Sequence, residues 1–195
     1  MSRNTAQVVL HVELLDVRPR VWRSLRVPTL MLLTDLHRVL QVALGWEHRQ
    51  PYVFHIGGKA VVAPGGSAST ALTDDASGWT VGRATNVGGP DLHYLYDPGD
   101  KWVHRIRVDP AGRSVPGGTP LCLAGQHACP PEDVGGPAGY HLFLAALADD
   151  DHPDHALYAD WVGGIWDPAG FDINRVNRVL REHAAQGARG VAARR

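Results

Sequence analysis

The sequence predicts an α+β fold: a mixed or antiparallel sheet with one packed helix, β-grasp-like in outline, plus a helical C-terminal part. Two observations lead there. Apolar residues alternate with a period of two in paired segments before residue 110, whereas helical spacing shows once early and then fills the C-terminal third. Strands and helices also fail to alternate regularly, which argues against a doubly wound parallel sheet. A chain of 195 residues, 44% hydrophobic and 20% charged, suits one domain with a proper core. That domain is expected over 1–184, with an insertion-like loop at 63–78, the helical part at 138–184 and a disordered tail at 185–195.

The elements follow in order. Val8, Leu10, Val12 and Leu14 alternate like a half-buried strand. Pro19 marks a turn, and Val21, Leu25 and Val27 form a second strand that Pro28 ends. Thr34 can cap a helix whose apolar residues, Leu36, Val39, Leu40, Ala43 and Leu44, share one face, and Gly45 suits its left-handed stop. Runs at 52–56 and 59–63 flank Gly57-Gly58, a pair that accepts a tight hairpin turn. Leu92 to Asp97 and Trp102 to Val108 pair across Pro98-Gly99-Asp100. A long loop over 110–137 holds both cysteines, and loops of that length are usually functional or disordered. Helices are then expected from Gly139 to Ala148, burying Leu142, Phe143, Ala146 and Leu147, from Asp151-His152-Pro153 to Val162, and from an Asp172 cap onward.

Composition removes several classes of function. A net charge of -1 lacks the basic surplus of a protein that coats nucleic acid. Two cysteines cannot build a disulfide framework or a four-cysteine zinc module. No apolar run follows a basic start, and no stretch approaches ~18 apolar residues, so a cytoplasmic location without a membrane partner is expected. Gly-x-Ser-x-Gly, His-Glu-x-x-His and a phosphate-binding loop are all missing.

Three clusters carry chemistry. Tyr96, Asp97, Gly99, Asp100, Trp102 and His104 lie within one strand–turn–strand stretch, and the two carboxylates could hold a cation or orient the imidazole. The competing reading, which is favoured, is a hairpin turn in which Asp accepts amide bonds. Cys122 and Cys129, with six residues between them, could hold a metal such as zinc together with His104 or His127. That gap exceeds the usual two to four of zinc knuckles, so two buried thiols or a disulfide-capable pair is the better reading. His37, on the early helix with Gln41 one turn on, could face a cleft, although an exposed helix histidine is the favoured reading.

These motifs together resemble the plasmid pRiA4b ORF-three-like family. Pro19-Arg20-Val21-Trp22-Arg23 resembles its opening hairpin, and Asp35-Leu36-His37, Gln41 and Gly45-Trp46 its helix signature. Tyr96-Asp97, Gly99-Asp100, Trp102 and His104 are similar to its Tyr-Asp-Phe-Gly-Asp-x-Trp-x-His motif. Cys122, Gly125, Cys129-Pro130-Pro131-Glu132-Asp133, Gly135-Gly136-Pro137 and Gly139-Tyr140 match its most specific block, and Phe171-Asp172 with Val176-Asn177 its end. The resemblance spans about 7–182 and implies an α+β domain without established catalytic residues. Some members carry transposon-resolvase labels. A serine recombinase needs a nucleophilic serine in an Arg-rich pocket and a basic helix pair, and Ser2 precedes the first strand. Pro98 departs from the family's Phe and removes an aromatic ring and a backbone donor from the turn.

The resulting functional reading is a non-catalytic binding or regulatory module associated with mobile elements, with a protein or small-molecule partner. Its candidate surface comprises His37, Tyr96, Asp97, Gly99, Asp100, Trp102, His104, Glu132, Asp133 and Tyr140. The alternatives are a metal-dependent hydrolase using Cys122, Cys129 and His104, and weak DNA binding through Arg178 and Arg181.

Overall fold

The computed structural model describes residues 4–65, 73–110, 115–116, 118–164 and 166–192. Its strands are β1 (Asn4–Thr5), β2 (Gln7–Leu14), β3 (Trp22–Pro28), β4 (Tyr52–Ile56), β5 (Lys59–Val62), β6 (Thr73–Asp75), β7 (Asp91–Tyr96), β8 (Trp102–Pro110), β9 (Val115–Pro116) and β10 (Leu121–Gln126). Its helices are α1 (Leu33–Leu44), α2 (Val81–Gly88), α3 (Gly136–Leu147), α4 (His155–Trp161) and α5 (Ile173–Ala192), with a 3₁₀ turn at Ala76–Gly78. The arrangement is the expected α+β.

Eight strands form one sheet in the order β10-β3-β2-β8-β7-β4-β5-β6. Its pairs are antiparallel except β5–β6, which run parallel at one edge. The separate β1–β9 pair is also antiparallel. Leu10 sits opposite Leu25 on one side and Val108 on the other. Facing residues share a face, so Leu10, Leu25 and Val108 all turn inward and are buried. The same register turns His11, Glu13, Arg105 and Arg107 outward, where Glu13 binds both Arg20 and Arg105. A solvated outer face is normal for an antiparallel sheet.

Helix α1 packs Leu33, Leu36, Val39, Leu40, Ala43 and Leu44 into the core. Its start differs from expectation. Thr34 does not cap it; Leu32 occupies the cap position and makes no side-chain cap bond. The Leu33 amide instead donates to the Trp79 carbonyl at 2.9 Å, and Leu32 bridges Thr80. A neighbouring segment therefore satisfies a donor that a hydroxyl would otherwise take. Gly45 ends the helix at φ 87 and donates to the Gln41 carbonyl at 2.8 Å, as expected of a left-handed stop.

The stretch read as a surface loop over 63–78 carries β6 and the 3₁₀ turn and leads into α2; residues 66–72 lie outside the described residues. Within α3 the inward face holds Tyr140, Phe143 and Ala146, while Leu142 is 65% exposed, against expectation. Tyr140 is fully buried and sets the rotation of a helix that is apolar nearly all round. The Asp172 carboxylate caps α5, accepting from the Asn174 and Arg175 amides at 2.9 and 3.0 Å. That helix runs on past Ala185 to Ala192. Among the described residues, no helix is long and apolar enough to cross a membrane.

Candidate functional site

His37 and Gln41 lie one turn apart on α1, so both side chains leave the same face of the helix. Both are buried, and both reach the Tyr94 hydroxyl from β7. His37 Nδ1 is 2.7 Å from that oxygen, and Gln41 Nε2 is 3.1 Å away. The Tyr52 ring stacks on the His37 imidazole with centroids 3.8 Å apart. On the other edge, His37 Nε2 is 3.2 Å from Nδ1 of His48.

The hydrogen positions in this chain follow from one backbone amide. His48 N–H donates to Gln41 Oε1 at 3.0 Å, so the Gln41 amide nitrogen must face Tyr94 and donate to it. The Tyr94 hydroxyl then needs an acceptor for its own hydrogen, and His37 Nδ1 provides it. The reverse arrangement would bury the Tyr94 hydrogen unpaired, at a cost of roughly 1–3 kcal/mol. With Nδ1 accepting, neutral His37 carries its hydrogen on Nε2 and donates to His48 Nδ1. His48 is left with its hydrogen on Nε2, the edge turned away from His37. Burial, with His48 and Arg38 beside it, pushes the His37 pKa down to about 3, which keeps it neutral. Burial, then His183 and Arg38, lower that of His48.

The loop that carries His48 is held from three sides. Trp46 Nε1–H donates to the Pro130 carbonyl at 2.9 Å. The Tyr96 hydroxyl donates to Glu132 Oε1 at 2.5 Å and accepts from the Arg49 and Gln50 amides. Glu132 also accepts from the Glu47 amide at 3.2 Å, and Gln50 Nε2 reaches Asp133 Oδ1 at 3.4 Å. His48 itself adopts φ 61, a conformation uncommon for residues other than glycine. Burial, then the bond to Glu132, raise the Tyr96 pKa.

Below this loop lies Arg23, only 2% exposed. Its guanidinium donates to the carbonyls of Ala43 (2.8 Å), Trp22 (2.7 Å), Gln126 (2.9 Å) and His127 (2.9 Å). The Phe171 ring covers it, 4.0 Å from the central carbon. Gly125 is required beside them, since a Cβ there would stand 2.7 Å from the Phe171 ring and 2.8 Å from Arg23 Cδ. Arg23 thus ties α1, β3 and the loop after β10 to the start of α5.

These elements enclose a cleft of about 750 Å³. Trp46, Trp166 and Phe171 supply aromatic wall, and Val176 and Val179 of α5 supply aliphatic wall. Its polar lining includes Glu47, His48, Asp172, Arg175 and His183. Trp166 Nε1–H is buried and lies near the Tyr140 oxygen without reaching hydrogen-bond geometry. A smaller hollow of about 410 Å³ lies on the outer sheet face, where Glu13 and Asp109 already pair with the neighbouring Arg20, Arg105, Arg107 and His11.

Of the residues singled out from sequence, Cys129 lines the cleft and His37 stands one hydrogen bond behind it. His37 is buried, so the favoured reading of an exposed helix histidine is corrected. Tyr96, Trp102, His104 and Tyr140 are core side chains rather than a surface. Asp97 Oδ1 accepts from the Gly99 and Asp100 amides at 2.9 and 3.3 Å, which makes this stretch the hairpin turn. Asp100 reaches out to the Gly135 amide at 3.2 Å, at the start of α3.

Among the described residues, no group of three or more His, Cys, Asp or Glu side chains is placed to hold a metal ion. Cys122, Cys129 and His104 are therefore not gathered into one donor set. Both thiols are free and buried. Burial pushes the Cys129 pKa up to about 12 and raises that of Cys122. His104 Nδ1 faces the Tyr94 carbonyl at 3.2 Å, and its Nε2 has no partner.

Sequence reasoning missed His183 and did not bring His48 or Arg175 into one cleft with it. Arg23 had a readable signal: it shares strand parity with Val21, Leu25 and Val27, all fully buried.

The motifs that hold the His48 loop, Gly45-Trp46, Tyr96 and Cys129 to Asp133, are those of the family resemblance. The family model for plasmid pRiA4b ORF-3-like proteins matches residues 6–175. The chain belongs to this family. It is 35% identical over 183 residues to the uncharacterised protein y4hQ of Sinorhizobium fredii, covering 93% of this chain and 94% of that one. The crystal structure of MM3350, a protein of unknown function from Methanosarcina mazei Go1, is similar with a TM-score of 0.75 and 26% identity. That likeness covers 87% of this chain and 97% of the other. This pRiA4b ORF-3-like chain thus shares its fold with MM3350.

Proposed function

We propose that this chain is a non-catalytic binding module whose small-molecule ligand occupies the cleft between the His48 loop and α5. The observation that carries the reading is the fixed presentation of His48 at an aromatic-walled cleft. Concave, mostly apolar sites with few placed polar groups are typical of ligand pockets. Two groups that chemistry would recruit are in the wrong state for it. The Cys129 thiol, with a pKa near 12, stays protonated at neutral pH and is a poor nucleophile. His48 spends its Nδ1 lone pair on His37 and offers a hydrogen at Nε2, so it acts as a donor rather than a general base. The free thiols agree with action in a reducing cytoplasm. The plasmid origin in the family's description supports an association with mobile elements.

A metabolite library screened by thermal shift and ligand-observed NMR tests this. We expect hits on the wild type that Val179→Trp, which puts an indole into the cleft from its α5 wall, weakens or removes without unfolding the protein. Hits that persist in Val179→Trp, or turnover of a hit, would overturn the reading.

A further inference from the structure

We infer that the ligand of this cleft is a flat aromatic molecule bearing an oxyanion, a carboxylate or phosphate, which accepts from His48 Nε2–H while its ring lies among Trp46, Trp166 and Phe171. The inference rests on the cleft reading above and adds the ligand's chemical class. Its first support is the direction of the buried hydrogen-bond chain. The His48 amide orients Gln41, Gln41 orients Tyr94, Tyr94 orients His37, and His37 leaves His48 with a hydrogen to give. A group that meets this edge must accept.

The second support is which charges in the cleft are already spent. Its two carboxylates are both engaged: Glu47 with Arg49, and Asp172 with the first amides of α5. Arg175 lines the same cleft, and its guanidinium makes no hydrogen bond or ion pair among the described residues. His183 lies close enough to influence His48. Arg175 is thus the uncommitted charge of the cleft, and beside the His48 donor it favours an anion over an amine. The third support is the wall, three aromatic rings that a flat molecule can lie against.

Indole-3-acetate and phenyl phosphate are the anionic probes, and tryptamine is the charge-reversed control. Titration calorimetry on the full chain should show the better anion binding at least about tenfold tighter than tryptamine, the value of one charge-assisted hydrogen bond. His48→Ala and Arg175→Ala, both at exposed positions, should each weaken the anion about tenfold, and His48→Gln, which restores an N–H donor, should recover part of the loss. Nitrogen-15 spectra of the histidine rings should place the His48 hydrogen on Nε2. Equal or tighter binding of tryptamine, no anion binding at millimolar concentration, or anion binding indifferent to His48→Ala would each overturn the inference. Tryptamine binding that Val179→Trp abolishes would sink the oxyanion and leave the cleft standing; probe binding unmoved by Val179→Trp would sink the cleft as well.

Discussion

Arg23 shows how one side chain can join four segments. Strand parity turns it inward between Val21 and Leu25, where a charge survives only if its donors are met. Four carbonyls from α1, β3, the end of β10 and the loop after it meet them, and Phe171 closes the remaining face. Burial still lowers its pKa, but an arginine stays charged at any physiological pH. Arg23→Met should cost roughly 3 kcal/mol of unfolding free energy, because four carbonyls lose their donor at once. Arg23→Lys should recover little, since a single ammonium cannot address carbonyls in separate directions. Urea denaturation of the three proteins measures this; a loss below about 1 kcal/mol for Arg23→Met would show that the clamp is dispensable.

At the scale of elements, the sheet edge and α5 explain one another. β10 is an edge strand, and edges with free amides invite unwanted pairing. Asn177 of α5 covers it by imitating a strand: Oδ1 accepts from the Cys122 amide at 2.8 Å, and Nδ2 donates to the Cys122 carbonyl at 2.9 Å. Asn177→Ala should therefore cost about 1–3 kcal/mol, the worth of two net hydrogen bonds. It should also lower the exchange protection of the Cys122 amide specifically, and unchanged protection would refute the edge-cover role. Asn177→Asp keeps the acceptor and loses the donor, so it should fall between. Asn177 was visible in the sequence as part of a family-like motif, but its role was not, because the partner strand lies 55 residues away. The hairpins and α1 were legible because their apolar periods are long and regular. α2 was not: its eight residues bury only Val81 and Ala84 and contain two glycines, too weak a pattern to outweigh the polar stretch before it. The cleft was the least legible feature, since its polar groups come from a loop and a distant helix and share no spacing.

Across the whole molecule, the buried histidines make stability depend on pH in a defined window. His104 is fully buried, with Nδ1 facing the Tyr94 carbonyl and Nε2 making no hydrogen bond. Burial accordingly brings its pKa down to about 4, and that of His37 to about 3. An unfolded histidine titrates near 6.5. Above that value both states are neutral, and the histidines leave stability untouched. As pH falls below it, the unfolded chain takes up protons that the folded chain refuses, so stability declines until the folded pKa is reached. Each such histidine contributes a slope of up to about 1.4 kcal/mol per pH unit. Through His104 alone, the loss from pH 6.5 to pH 4 amounts to about 3 kcal/mol, a large share of the 5–15 kcal/mol typical of a domain. Glu13, held below its ordinary value of 4.5 by Arg20 and Arg105 despite an opposing burial effect, adds its own loss mainly around and below that pH. The upper part of the interval from 6.5 to 4.5 is therefore governed by the histidines. Urea titrations at half-unit steps across it should show a falling unfolding free energy. In His104→Phe, which keeps a ring and removes the titration, the slope should flatten by roughly 1 kcal/mol per pH unit. An unchanged slope in that variant would mean that His104 is protonated in the fold, with an acceptor for its second nitrogen.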